Sequence, residues 1–253
     1  MTEDFDDLRS GVVLAELGGY GDGPYCARHG AGAALVVMGT YIVDAGDSVP
    51  YDPKFVFKPG RASYAAYLCE NVAAARAGGA GVGVSVISVG LSDTVDFLVA
   101  AQEAGADYAS LCAFSDMDMF VNAGVGVALC ERENRALLKE WASAILQALG
   151  IPFIFKVGLR EPAETTETVD ALAECGVPIV HMAVGDTAPG SEGLQMLGRL
   201  SGRCRFLIGG SGVRDAEGAR RVLEAGAGAV AIATAAMEDA GLCGRIQAQL
   251  RQE

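Results

Sequence analysis

Histidine is scarce: only His29 and His181 occur in 253 residues. A multi-histidine metal cage is therefore not expected, and no metal site is assigned. The seven cysteines (Cys26, Cys69, Cys112, Cys130, Cys175, Cys204 and Cys243) include no Cys-x-x-Cys pair and are odd in number. That pattern suits reduced thiols in a cytosolic protein better than a disulfide framework. Basic residues are outnumbered, 19 Lys and Arg against 32 Asp and Glu, for a formal net charge of −13. Such a chain offers no general basic face to nucleic acid or to anionic lipid. A local pocket for one small phosphate-bearing molecule is still compatible with that charge. No run of eighteen apolar residues is present, so no membrane-spanning segment is expected. The opening residues Thr2, Glu3, Asp4, Asp6 and Asp7 lack a basic-then-apolar targeting pattern. The expectation is a cytoplasmic protein with a small-molecule partner, without nucleic acid or membrane, and with homo-oligomerisation left open.

What the chain does have is apolar residues, at 51%, and 34 glycines. The length suits one large barrel-sized domain spanning 1–253, with ample residues for a core. Glycine at this level without a short repeat points to many tight turns. Eight short runs rich in Val, Ile, Leu and Ala read as strands: Gly11–Ala15, Ala34–Met38, Gly83–Val89, Tyr108–Cys112, Phe153–Val157, Pro178–Ala183, Arg205–Gly209 and Ala229–Ala233. Near-continuous apolar runs mark strands covered on both faces, as in parallel sheets.

Helical patterns separate them: Ala62–Ala77, Ser92–Gly105 with Ser92 as its cap, Asn134–Gly150, Glu164–Gly176, Gly190–Gly202, Asp215–Gly226 and a last helix over Met237–Arg251. In the third of these, Leu137, Leu138, Trp141, Ile145 and Leu149 form one apolar face. Several end in glycine, the residue suited to a helix C-terminus. Strand–helix alternation repeated eight times, without Gly-x-Gly-x-x-Gly after the first strand, predicts a closed (β/α)₈ TIM barrel rather than an open doubly wound sheet. Two insertions follow strands, at 44–61 and 113–133, and are candidate lids on the catalytic face or else surface decoration.

The seventh run closes on Gly209, Gly210, Ser211 and Gly212, and a helix follows from Asp215. The eighth ends at Ala233 and Thr234 before a short helix. Glycine lets backbone N–H groups approach an anion, and a helix N-terminus adds a favourable dipole. In (β/α)₈ barrels the phosphate grip commonly lies after strands seven and eight. The alternative is that these glycines only make tight turns.

Lys156 lies inside an apolar strand run. Burying an unpaired ammonium is costly, so it should meet an anion or an electron-rich ligand, or reach solvent, or pair with a carboxylate. His181 ends another apolar run, where it either bonds a ligand or is satisfied within the core. Glu16 ends the first strand as a candidate acid or base. Cys112 ends the fourth and reads as either a nucleophile or a small buried residue. Asp116 and Asp118 lie in the second insertion and read as solvated loop charges.

The stretch Leu14-Ala-Glu-Leu-Gly-Gly-Tyr-Gly-Asp-Gly-Pro-Tyr25 resembles the opening of the dihydrouridine synthase family. Asn122-Ala-Gly-Val-Gly-Val-Ala-Leu129, Pro152-Phe-Ile-Phe-Lys-Val157, Ile179-Val-His181 and the Gly209–Gly210 turn are similar to further stretches of it, and dihydroorotate dehydrogenases share the lysine and the phosphate grip. The resemblance spans most of the chain and implies an FMN-binding barrel. It would seat the flavin on Ala15, Lys156, His181, Gly209, Gly210, Ser211, Gly212, Ala233 and Thr234, with Lys156, Glu16, Cys112 and His181 as catalytic candidates.

The chain departs from the family in four places. Glu16 and Leu17 replace the usual Pro-Met. Ile87 or Ser88 falls where the family carries a ring-holding glutamine. Ser115 falls where its catalytic cysteine is expected, with Cys112 about three residues early. The family's C-terminal RNA-binding domain is not expected either, since the chain stops soon after strand eight. Flavin hydride transfer to a small molecule, rather than tRNA reduction, is the resulting expectation. A flavin-free lyase, synthase or isomerase holding its substrate's phosphate group in the same site is the alternative, and a non-catalytic binding subunit is a third.

Overall fold

A computed structural model describes residues 5–44 and 52–252. Its strands are β1 (Val12–Leu14), β2 (Leu35–Val43), β3 (Val56–Phe57), β4 (Gly81–Ser88), β5 (Tyr108–Ala113), β6 (Phe153–Gly158), β7 (Ile179–Ala183), β8 (Phe206–Gly210) and β9 (Ala229–Ile232). Its helices are α1 (Gly23–His29), α2 (Ala65–Arg76), α3 (Leu91–Glu103), α4 (Asp118–Val121), α5 (Arg135–Ala148), α6 (Pro162–Glu174), α7 (Glu192–Leu200), α8 (Ala216–Glu224), α9 (Thr234–Glu238) and α10 (Leu242–Leu250).

All strand pairings are parallel, and β1 pairs with both β2 and β9, which closes the sheet. The short β3 pairs only with β2, outside the ring. The eight remaining strands form the (β/α)₈ barrel, one strand for each expected run.

Alternate residues on each strand face the two layers of core. Val13, Leu35, Val37, Tyr108, Ile154, Ile179, Phe206, Ile208 and Ala229 pack together inside the barrel. Phe5 closes its amino end, edge-on to Phe206 at 5.5 Å. The outward residues pack under the helices in a second, larger cluster. On β2 the pairing with β4 shifts between Met38 and Tyr41. The shift changes which residues face inward: Thr40 and Ile42 line the barrel mouth, while Tyr41 turns outward and stacks on Phe55 at 5.3 Å.

Helix ends follow local chemistry. Asp215 caps α8 by accepting from the Gly218 N–H at 2.7 Å, and Ser191 caps α7 through Leu194 N–H at 3.3 Å. Glu161 caps α6, which starts on Pro162. Gly105, Gly176, Gly202 and Gly226 follow their helices with positive φ, as expected of helix-ending glycines.

Three expectations need correcting. Ser92 lies inside α3, whose cap position is Gly90 without a side-chain bond. The helix expected over Met237–Arg251 is two helices, interrupted where Asp239 accepts from the Gly241 N–H at 3.0 Å. Helix α1 was not expected, because glycines surround it; Asp22 starts it by accepting from Tyr25 N–H at 2.9 Å, with Pro24 in its first turn.

Candidate functional site

The carboxyl ends of the strands surround a cavity of about 660 Å³. Barrel interiors fill lower down, and parallel strands leave this end to their following loops, so a cavity is expected there.

Glu16, Cys112, Lys156 and His181, expected separately on four different strands, all line this cavity. The register brings them level: Cys112 is opposite Lys156, and Lys156 is opposite His181, across β5, β6 and β7. Each follows an inward neighbour by two residues (Ser110, Ile154 and Ile179), so all three project inward.

Lys156 is 7% exposed and Glu16 5%. Lys156 Nζ lies 3.3 Å from Glu16 Oε2. Of the three fates weighed for a buried lysine, pairing with a carboxylate is the one observed, and the pair faces the cavity. His181 Nδ1 lies 3.9 Å from the same Oε2. Burial, with the Lys156 charge beside it, holds the His181 pKa well below the ordinary imidazole range. The ring is therefore neutral at physiological pH.

Ser85 Oγ donates to Glu16 Oε1 at 3.3 Å, and Thr40 Oγ1 lies 3.4 Å from Ser85 Oγ. Glu16 Oε2 is buried, and its polar neighbours are the Lys156 ammonium and, farther off, the His181 ring. Burial pushes the Cys112 thiol up, against the lowering effect of Lys156. Cys112 is thus a protonated thiol at neutral pH rather than an activated thiolate.

Beyond β5, the segment following Ala113 forms one wall through Phe114, Ser115, Asp116, Met117 and Phe120. Phe114 is 45% exposed and its ring lies 5.7 Å from Lys156 Nζ. Asp116 lines the cavity, whereas Asp118 begins α4. The segment is anchored at its far end: Arg160 bonds Glu164 at 3.0 Å and Glu131 at 3.3 Å, and Thr168 Oγ1 donates to the Cys130 carbonyl at 3.1 Å.

The other insertion behaves differently. Residues 45–51 lie outside the described residues; the described part, 52–61, contributes nothing to the cavity lining. Phe55 and Phe57 instead bury their rings against Tyr41, Tyr67 and Phe97, which draws this segment onto the outside of the strands.

The two turns expected to grip an anion are divided in the same way. Ala15, Ser211, Gly212, Ala233 and Thr234 line the cavity, while Gly209 and Gly210 do not. Both of those glycines belong to β8 and are required by packing. A Cβ on Gly209 would lie 2.9 Å from Leu197 and Val222, and one on Gly210 would overlap the Ala231 backbone. Ser211 has φ 108°, a conformation costly for a residue with a side chain, and Gly212 has φ 73°.

Sequence reasoning missed Thr40, Ser85, Phe114 and Arg214, all near or in this site. Thr40 and Ser85 could have been flagged as lone hydroxyls in apolar runs. Arg214, exposed at the rim after the glycine turn, had no signal beyond its position. Ile87 lines the cavity and Ser88 does not, so neither carries the polar side chain of the family's ring-holding glutamine into it.

No protein-family model matches the chain. An uncharacterized protein of Methanocaldococcus jannaschii is 28% identical over 166 residues, which is 62% of this chain and 62% of that protein. The chain therefore matches less than two thirds of that relative's length. Among solved structures, DHODH from Eimeria tenella, crystallised with ferulenol, superposes with a TM-score of 0.70 at 15% identity, over 99% of this chain and 85% of that one. A likeness at that identity establishes the barrel fold.

Proposed function

We propose that the protein binds FMN in this cavity and is an oxidoreductase acting on a small molecule. The observation that carries the reading is the lining of one cavity by a buried ammonium, Lys156, and by the turns Ser211–Gly212 and Ala233–Thr234. The donor set fits the group. Backbone N–H groups at the two turns, with Arg214 at the rim, suit a phosphate. Lys156 suits an electron-accepting ring, because a cation stabilises its reduced, negatively charged form. The likeness to DHODH supports this at the level of the fold.

Bound there, FMN supplies a centre that takes up or gives up a hydride. The protein's own groups do the rest. Lys156 supplies positive charge in a site shielded from water. Glu16 is the candidate proton donor or acceptor at Oε2, with Ser85 fixing Oε1. His181, neutral, offers a hydrogen bond without adding charge. Cys112 acts as a small wall with a weak S–H donor. The segment 113–133 covers one side of the cavity and is read as its lid. We place the protein in the cytoplasm, acting on a small molecule and not on tRNA, with the barrel as its single domain.

The test is a visible absorption spectrum of the purified protein, repeated after incubation with FMN. Flavin bands are expected. Protein that stays colourless and takes up no FMN overturns the reading.

One observation favours a second reading. Ile87 supplies no polar group to a ring at the third barrel strand. In a flavin-free lyase, synthase or isomerase, the two turns would hold the substrate's own phosphate group. Lys156 would then serve as an amine or an electrostatic clamp, and borohydride would trap it with a carbonyl substrate only in the amine case.

A further inference from the structure

We propose that the substrate is a small organic cation, an amine on an apolar body, recognised at the cavity mouth by the Phe114 ring and the Asp116 carboxylate. The inference rests on the FMN reading, in which the phosphate at the two turns belongs to the cofactor, and it names the substrate class.

Charge leads to it first. The carboxyl, amine, guanidine and imidazole groups that line the cavity are those of Glu16, Asp116, Lys156, Arg214 and His181. Lys156 Nζ and Glu16 Oε2 face each other at 3.3 Å, and that pair has no net charge whichever partner holds the proton. His181 is held uncharged by burial. Asp116 and Arg214 formally offset one another. A phosphate group at the turns, on the Arg214 side, adds roughly two negative charges. The loaded cavity is then negative, within a chain whose formal net charge is −13. A field of that sign draws cations to the mouth and turns anions away.

The wall after β5 supplies matching contacts. Phe114 is 45% exposed and lines the cavity, an apolar ring left half in solvent where a ligand would enter. The face of an aromatic ring attracts a cation. Lys156 Nζ already lies 5.7 Å from the centroid, but Glu16 offsets its charge, so a second cation is not repelled. Asp116, two residues on, is exposed and lines the same cavity. It makes no ion pair or hydrogen bond among the described residues, so its charge is free for a ligand. Arg214 follows β8, which β6 and β7 separate from β5 around the ring. Anion and cation are thereby given different parts of the rim.

The wall is also set in advance. The Ser115 carbonyl accepts from the Val127 N–H at 2.9 Å, and Ser115 Oγ accepts from the Met117 N–H at 3.4 Å. A Cβ on Gly126 would overlap the Ser115 carbonyl, so a glycine is what lets the turn settle there. A turn already fixed loses little freedom when a ligand binds.

The test compares benzylamine, benzyl alcohol and benzoate, which share a ring and differ in charge. Their affinities for FMN-loaded protein are measured by NMR titration. Benzylamine should bind about fivefold or more tighter than benzyl alcohol, and benzoate more weakly than either. Asp116→Asn should lower the amine-to-alcohol ratio about threefold and leave benzyl alcohol unchanged. The ratio should also fall as sodium chloride is added. Benzoate binding best, an amine with no advantage over the alcohol, or binding of none of the three overturns the proposal. A ratio unchanged by Asp116→Asn overturns it as well. Protein that takes up no FMN overturns the function proposed above on its own result. The same three titrations on that FMN-free protein, with inorganic phosphate present to occupy the turns, then decide this inference by the same ratios.

Discussion

A Cβ on Gly158 would lie 2.5 Å from the Phe114 ring, so the aromatic at the cavity mouth leans over the backbone of β6 only because residue 158 has no side chain. This contact sets the position of Phe114 above Lys156. Gly158→Ala should push the ring outward. Phe114 is half-exposed and can yield, and residue 158 is not in the left-handed region, so stability should fall by no more than about 1 kcal/mol. FMN affinity should fall with it. Thermal unfolding and a fluorescence titration check the two halves; unchanged affinity would show that Phe114 does not shape the ligand site.

The Lys156–Glu16 pair should behave as a unit. Removing one partner leaves the other charge buried, at a cost of about 3–5 kcal/mol, whereas replacing both with apolar residues is often near neutral. Urea unfolding of Lys156→Met, Glu16→Leu and the double variant should show two strongly destabilised proteins and one close to the parent. Additive losses would mean that the two groups do not interact.

His181 makes stability depend on pH. Its folded pKa is depressed by burial, then by Lys156. The unfolded chain therefore binds the proton more readily, and stability rises with pH across the interval between the two pKa values. The contribution is complete above the ordinary histidine pKa of about 6.5 and is lost as pH falls below it. The melting temperature should drop between about pH 7 and pH 5, and drop less steeply in His181→Asn. Equal slopes in the two proteins would remove His181 as the cause.

The two glycines of β8 should differ in their tolerance of a methyl group. At Gly209 the new atom meets side-chain ends of Leu197 and Val222 at 2.9 Å, and overpacking of that kind costs about 1–3 kcal/mol. At Gly210 it meets the Ala231 backbone, which cannot move aside, so Gly210→Ala should be the more destabilising. Melting temperatures of the two variants decide this. The reverse order would argue that Gly210 serves some purpose other than strand packing.

The barrel was legible because each of its strands lies in a near-continuous apolar run and because polar, glycine-ended helices separate the runs. Candidate residues at strand ends were legible for a related reason. A lysine, a histidine or a carboxylate inside or just beyond such a run stands out against its apolar neighbours, as Lys156, His181 and Glu16 do. Less was legible where an element depends on contacts distant in sequence. Helix α1 lies among glycines, and its formation rests on the Asp22 cap and on packing against α2, where Asn71 Oδ1 accepts from the Gly23 N–H at 2.9 Å. The outward turn of Tyr41 follows from a register shift that no local pattern announces.

By itself, then, the sequence determined the parallel barrel, the number of its strands, and which strand ends carry ionisable groups, because hydrophobic periodicity and turn chemistry are local properties. It also determined that the chain carries excess negative charge and few metal-binding imidazoles. Only the tertiary structure decided that Lys156 finds Glu16, that Ser85 bonds the other Glu16 oxygen, and that Gly209 and Gly210 serve packing while Ser211 and Gly212 face the cavity. Those outcomes depend on the stagger between neighbouring strands around a closed sheet. Stagger places residues 140 positions apart within hydrogen-bonding distance, and no single strand records it.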